Sequence, residues 1–182
     1  MKRGKVILFI FALVFTTSSL DVREVSKTMD IVLHNTQPEE MTDTEKFLES
    51  ISFKESGNNH RAVSKNGYLG KYQFTPKTLK LIDFNVSRKK FLRSEKLQDS
   101  AMITLLLHNK KLLRREIKSF KNKKIGGKKI TESGILAGAH LAGPYRVKKY
   151  LSDGIDFVDD NGMKVSHYIR KFSGYELDIE SN

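Results

Sequence analysis

From Ser94 to Phe120 apolar residues return at the period of a helix: Leu97, Ala101, Leu105, His108 and Leu112, then Ile117 and Phe120. So long a one-sided stripe has to lie against other apolar surface, which points to a core built from helices. Ser94 is a cap residue at its head, and the basic cluster from Lys110 to Arg115 projects largely to the wet side. The same reading along the chain predicts further helices. Thr42 or Thr44 caps one that carries Phe47, Leu48, Ile51 and the stem of Lys54 on one face, and Gly57 stops it. Thr75-Pro76 opens a second and Ser87 a short third. Thr131 caps "ESGILAGAHLAG", whose small residues suit close packing. Gly143-Pro144 breaks that helix, another runs over 145–152, and Ser166 caps a last short one ending at "FSGY". Residues 58–74 differ: Asn58-Asn59 and Asn66-Gly67 are turn signals with short extended pieces between them, which predicts a small irregular β-hairpin region. "NKKIGGKK" reads as a basic loop. No internal repeat appears, and 182 residues suffice for one domain with a real core. The expected class is mainly α, with a small β-hairpin region after the first domain helix.

The head of the chain stands apart. Lys2, Arg3 and Lys5 precede ten unbroken apolar residues, Val6 to Phe15, and then small polar ones. This is the layout of an export signal over residues 1–20; a bilayer span takes about 20 apolar residues. An uncleaved signal acting as an anchor stays open, whereas a lipoprotein anchor needs a Cys and the chain has none. Residues 21–41 are polar and aperiodic, a linker, and residues 42–182 form the domain. Removing the three basic residues of the signal from a formal charge of +12 leaves +9. Such a charge suits an anionic partner, and an exported chain without RNA-binding aromatic motifs or zinc spacing is not expected to meet nucleic acid.

The chemical options narrow quickly. Without Cys there is no disulfide, thiolate metal site or thiol nucleophile. Five acidic or amide residues crowd 153–161, but a calcium loop ending on Gly162 would start at Phe157 and close at Tyr168 instead of Glu, so a solvated turn is the better reading. The five His residues lack paired spacing, and no metal or cofactor is expected. No G-x-S-x-G elbow occurs, and "IGGKK" lacks the spacing of a phosphate loop. Glu55 remains. It falls in the last turn of the first domain helix, where the negative end of the helix dipole disfavours its ionised form. Burial against Phe53, Tyr68 or Phe74 acts the same way, while Lys54, Arg61, Lys65 and Lys71 would act against it if they came close. A carboxylic acid kept protonated near neutral pH suits glycosidic-bond cleavage; the plain alternative is an exposed Glu paired to a Lys.

The ordered series sharpens this. Glu55-Ser56, then "AVSKNGYLGKYQF" over 62–74, then a Thr-Pro helix start, resembles the soluble lytic transglycosylases of the lysozyme-like superfamily. Gly70-Lys71-Tyr72-Gln73 is similar to the family's Gly-x-x-Gln element, and "AGAHLAG" over 137–143 sits where its small-residue A-Y-N-A-G helix belongs. With "QDSAM" and "FSGY" the resemblance runs from about residue 46 to 175. His140-Leu141 stands where the family has Tyr-Asn. The resemblance therefore implies a lysozyme-like α+β domain with His140 in that tyrosine's place, or Tyr145 reaching in.

It also implies an activity: cleavage of peptidoglycan between N-acetylmuramic acid and N-acetylglucosamine, with Glu55 as the single acid and base and a 1,6-anhydro product. Ser56 and Gly70 belong to the matching elements, Gln73 would bond the sugar or its acetamido group, and Tyr68 and Tyr72 would line the cleft. The long run without acid after Glu55 fits one carboxylate, although Asp83, Asp99 or Asp153 could fold back. Peptidoglycan glycan strands are then the partner, with envelope-spanning machinery an open alternative and a membrane met only through an uncleaved signal. The expected location is exported: periplasm, cell envelope or outside. A lysozyme-type hydrolase and a non-catalytic wall-binding or assembly protein on the same fold are the alternatives.

Overall fold

The computed structural model describes residues 40–159 and 162–180; the expected export signal and nearly all of the expected linker lie outside them. Helices dominate, as the periodicity predicts. α1 (Asp43–Ser56) begins at Thr42, whose hydroxyl accepts from the Glu45 amide (3.2 Å) while Glu45 Oε2 accepts from the Thr42 amide (2.8 Å). This capping box satisfies two amides that the first turn leaves orphaned. Gly57 closes the helix in the left-handed region at φ 63°. Phe47 and Ile51 are buried as expected, but Ser52 takes the inner position and Lys54 is exposed.

Residues 58–74 form tight turns with no ladder. Leu69 makes isolated antiparallel bridges to Val63 and to Phe74, so the expected hairpin region is reduced to one residue pinned from both sides. α2 (Pro76–Leu81) and α3 (Arg88–Leu92) follow, capped by Thr75 and Ser87 as predicted.

The long stripe is where the reading needs most correction. It is two helices, α4 (Glu95–Leu112) and α5 (Arg114–Phe120), broken at Leu113. The buried line is Gln98, Ala101, Met102, Leu105, Leu106, Asn109, Leu113 and Ile117, whereas Leu112 is 45% exposed. The true face is displaced from the sequence stripe because it includes two amides, Gln98 and Asn109, that a hydrophobic count omits. The only ladder among the described residues lies in the segment read as a loop: β1 (Lys124–Ile125) pairs antiparallel with β2 (Lys128–Lys129). Gly126 and Gly127, at φ 59° and 77°, supply the two positive-φ positions of a two-residue hairpin turn.

α6 (Glu132–Ala142) is the hub and packs against α4, α7 (Pro144–Asp153) and α8 (Val165–Lys171). Its small residues admit α8 closely: a Cβ on Gly134 would lie 2.3 Å from the Ile169 carbonyl oxygen, and one on Gly138 2.8 Å from Ile169 Cγ1. α8 begins two residues earlier than predicted, and its cap position is Lys164, not Ser166. Ser166 is buried in the first turn, and its amide donates to Asp156 Oδ1 (3.0 Å) from the preceding loop. Beyond α8 the chain returns along α1. Phe47 meets Phe172 and Tyr175 edge-on, and the Glu176 and Asp178 amides donate to Asp43 and Thr44 (both 2.9 Å). This lacing sets α8 beside the C-terminal turn that carries Glu55.

Candidate functional site

Glu55 projects from the last turn of α1 with 18% of its side chain exposed. Two other helices meet it. The Tyr168 hydroxyl of α8 donates to Glu55 Oε1, and His140 Nε2 of α6 stands 3.9 Å from the same oxygen. Glu55 Oε2 has no hydrogen-bond partner among the described residues, so one carboxyl oxygen is held and the other is open for proton exchange. None of Lys54, Arg61, Lys65 or Lys71 pairs with it; the Lys71 ammonium sits on Asp99 (2.9 Å).

The helix architecture explains why these groups converge. Tyr168 shares the inner face of α8 with Val165, Ile169 and Phe172. A buried phenol needs a polar partner for its hydroxyl. Burial, then the charge and hydrogen bond of Glu55, then the charge of Asp159, all push the Tyr168 hydroxyl's pKa well above the usual tyrosine value. It therefore stays protonated and donates. His140 closes α6 with only 6% of its side chain exposed, edge-on to Phe74. Burial depresses its proton affinity, against smaller opposite effects of the Glu55 charge and the Tyr72 carbonyl. The imidazole is thus held towards its neutral form.

The other sequence candidates divide into supports and unconnected groups. Ser56 ties α1 to the turn segment: its hydroxyl lies 3.0 Å from the Lys71 carbonyl and accepts from the Asn59 amide (3.0 Å). Gly70, at φ 72°, could not bear a side chain, since a Cβ would lie 2.2 Å from Gln98 Oε1. Gln98 is buried and fastens the segment, accepting from the Lys71 amide (2.7 Å) and donating to the His60 and Phe91 carbonyls (2.8 and 2.9 Å). The Tyr72 ring is a core residue, 1% exposed, and its hydroxyl donates to Asp99 Oδ1 (2.5 Å). The cleft-lining side chain expected there is therefore turned inward, while its carbonyl faces His140.

Gln73 is half-buried and held at φ 53°, a costly position for a non-glycine residue, with its amide nitrogen donating to the Gly70 carbonyl (2.8 Å). Tyr68 is half-buried and Tyr145 is 69% exposed, and no hydrogen bond joins either side chain to Glu55. Of the acids that could have folded back, Asp99 lies on Lys71 and Tyr72, Asp153 pairs with Lys149 (3.0 Å), and Asp83 occupies a turn at φ 53°. Asp159, whose charge reaches Tyr168, was missed, as was Tyr168 itself. Two facts could have flagged Tyr168: a tyrosine on an otherwise apolar helix stripe, and a buried-looking Glu without a partner. An open cavity of about 500 Å³ lined by Ser87, Lys89, Lys90, Arg93, Ser94 and Leu97 shares no residue with this cluster.

The chain matches no family model, no curated protein and no solved structure.

Proposed function

We propose that the chain is an exported peptidoglycan lytic transglycosylase with a lysozyme-like domain and Glu55 as its acid and base. The observation that carries this reading is the state of Glu55. It is a largely buried carboxyl with Oε1 fixed by Tyr168 and Oε2 free, on a mainly helical scaffold. Protonated on Oε2, Glu55 gives its proton to the glycosidic oxygen as the bond from that oxygen to the muramoyl C1 breaks. The resulting carboxylate keeps the Tyr168 hydrogen bond, which strengthens as charge develops. Glu55 then takes the proton of the muramoyl C6 hydroxyl as that oxygen bonds C1 and closes the 1,6-anhydro ring. Glu55 ends protonated, as it began, and no water is consumed. The basic surface favours a wall polymer that carries lactyl and peptide carboxylates. The envelope is accordingly the proposed location.

Asp159 favours a second reading. Its charge acts on Tyr168, the residue that holds Glu55, and a hydrolase that activates water uses a second carboxylate. Digestion of purified sacculi in heavy-oxygen water separates the two. Transglycosylation yields anhydro ends without label. Labelled reducing ends that disappear in Asp159→Asn mark the hydrolase.

A further inference from the structure

His140 is more deeply enclosed than Glu55 and has no role in the steps above. Its Nδ1 is buried without a hydrogen-bond partner among the described residues. Its Nε2 is too far from Glu55 Oε1 for a hydrogen bond at 3.9 Å, yet close enough to form an ion pair were the ring charged. A buried polar atom left unpaired is destabilising, so a ring held this way calls for an explanation beyond packing. The groups around it leave Glu55 as the charge that acts on it. From the turn segment Tyr72 offers a carbonyl, and from α8 the Tyr168 hydroxyl is already on Glu55. Of the other charges on the packed helices, Asp99 and Lys110 of α4 pair with Lys71 and Glu132, Lys148 of α7 with Glu116, and Arg170 of α8 bonds Tyr150.

We propose that His140 is a positioning residue for Glu55: as a neutral ring it offers Nε2–H to the carboxylate formed when Glu55 gives up its proton. This rests on Glu55 being the acid and base. During turnover the ring keeps one proton throughout. It approaches Oε1 when the carboxylate appears and relaxes when the C6 hydroxyl returns a proton to Glu55, so both steps balance without a proton passing through His140. Burial favours the neutral ring, against the opposing pull of the Glu55 charge.

The test has two arms. In the first, kcat and KM on sacculi are measured against pH for wild type, His140→Asn and His140→Phe. Asn keeps an N–H donor but cannot become charged. It should retain most turnover, whereas Phe should lose about 10- to 100-fold in kcat with KM nearly unchanged. Full kcat in His140→Phe, or a loss in His140→Asn as large as in His140→Phe, overturns the proposal. In the second arm the His140 ring is titrated by NMR in wild type and in Glu55→Gln, which needs no activity. Removing the carboxylate should lower the ring's titration midpoint, and an unmoved midpoint overturns the coupling. Absence of turnover in wild type would remove the transglycosylase reading and leave the NMR arm to decide on His140.

Discussion

Glu55 is defined by its place in the chain, and its neighbours are defined by the fold. Its helix-end position follows from two local signals, the Thr42 cap and the Gly57 stop, and both were readable from sequence. Tyr168 was not, because it lies 113 residues away and a tyrosine at helical spacing with Val165, Ile169 and Phe172 reads as core. The missing information is three-dimensional: which buried carboxyl takes the buried phenol. Tyr72 erred the other way. Its place in a Gly-x-x-Gln-like run suggested a cleft wall, while its ring fills the core and its hydroxyl meets Asp99. At this scale Tyr168→Phe is the informative change. It removes one hydrogen bond to an ionisable group and leaves the ring packing on Phe172 in place. Turnover on sacculi should fall about 10- to 100-fold, with the circular dichroism spectrum and melting temperature nearly unchanged. Full activity in that variant would mean that the Tyr168 contact plays no part in the reaction.

The elements that bring the site together are α6 and α8, and their contact depends on what α6 lacks. Gly134 and Gly138 let the Ile169 backbone and side chain approach to within the space of a Cβ. The run of small residues in "ESGILAGAHLAG" foretold close packing, though not which helix would use it. Gly134→Ala would drive a methyl into the Ile169 carbonyl and the Ser173 hydroxyl, neither of which has a free direction to move, since that hydroxyl bonds the same carbonyl (2.8 Å). A loss of about 1–3 kcal/mol is expected in denaturant unfolding, with activity falling as α8 is displaced from Glu55. Unchanged stability would mean that the interface is looser than the close approach implies. Where element prediction failed, the cause was similar. The α4–α5 face runs through Gln98 and Asn109, both buried amides, and Gln98 fastens the chain by bonding the Lys71 amide and the Phe91 carbonyl. A search for apolar period passes over such residues. The β1–β2 turn did carry a sequence signal, Gly-Gly between short β-compatible pieces, which the surrounding lysines concealed.

For the whole molecule, the burial of His140 couples folding to pH. Its folded-state proton affinity is depressed, chiefly by burial, below the ordinary value of 6.5. The unfolded chain therefore binds this proton more readily. Stability is fully present above that value and falls as pH drops below it. Urea unfolding of wild type should show this loss just below pH 6.5, and in His140→Phe that part of the slope should be absent. An identical slope in both proteins would mean that the ring is not held neutral by the fold. The mainly helical class was legible because periodicity and caps are local, and the three-helix meeting at Glu55 was not, because it depends on the path of the chain after α8. The central claim is that Glu55 performs the chemistry on the glycan strand. It is tested most directly by incubating purified sacculi with wild type and with Glu55→Gln and identifying the released fragments by mass spectrometry. Anhydro-muropeptides from wild type, reduced at least about 100-fold in the variant, are the predicted result; equal release by both proteins, or none by either, would contradict it.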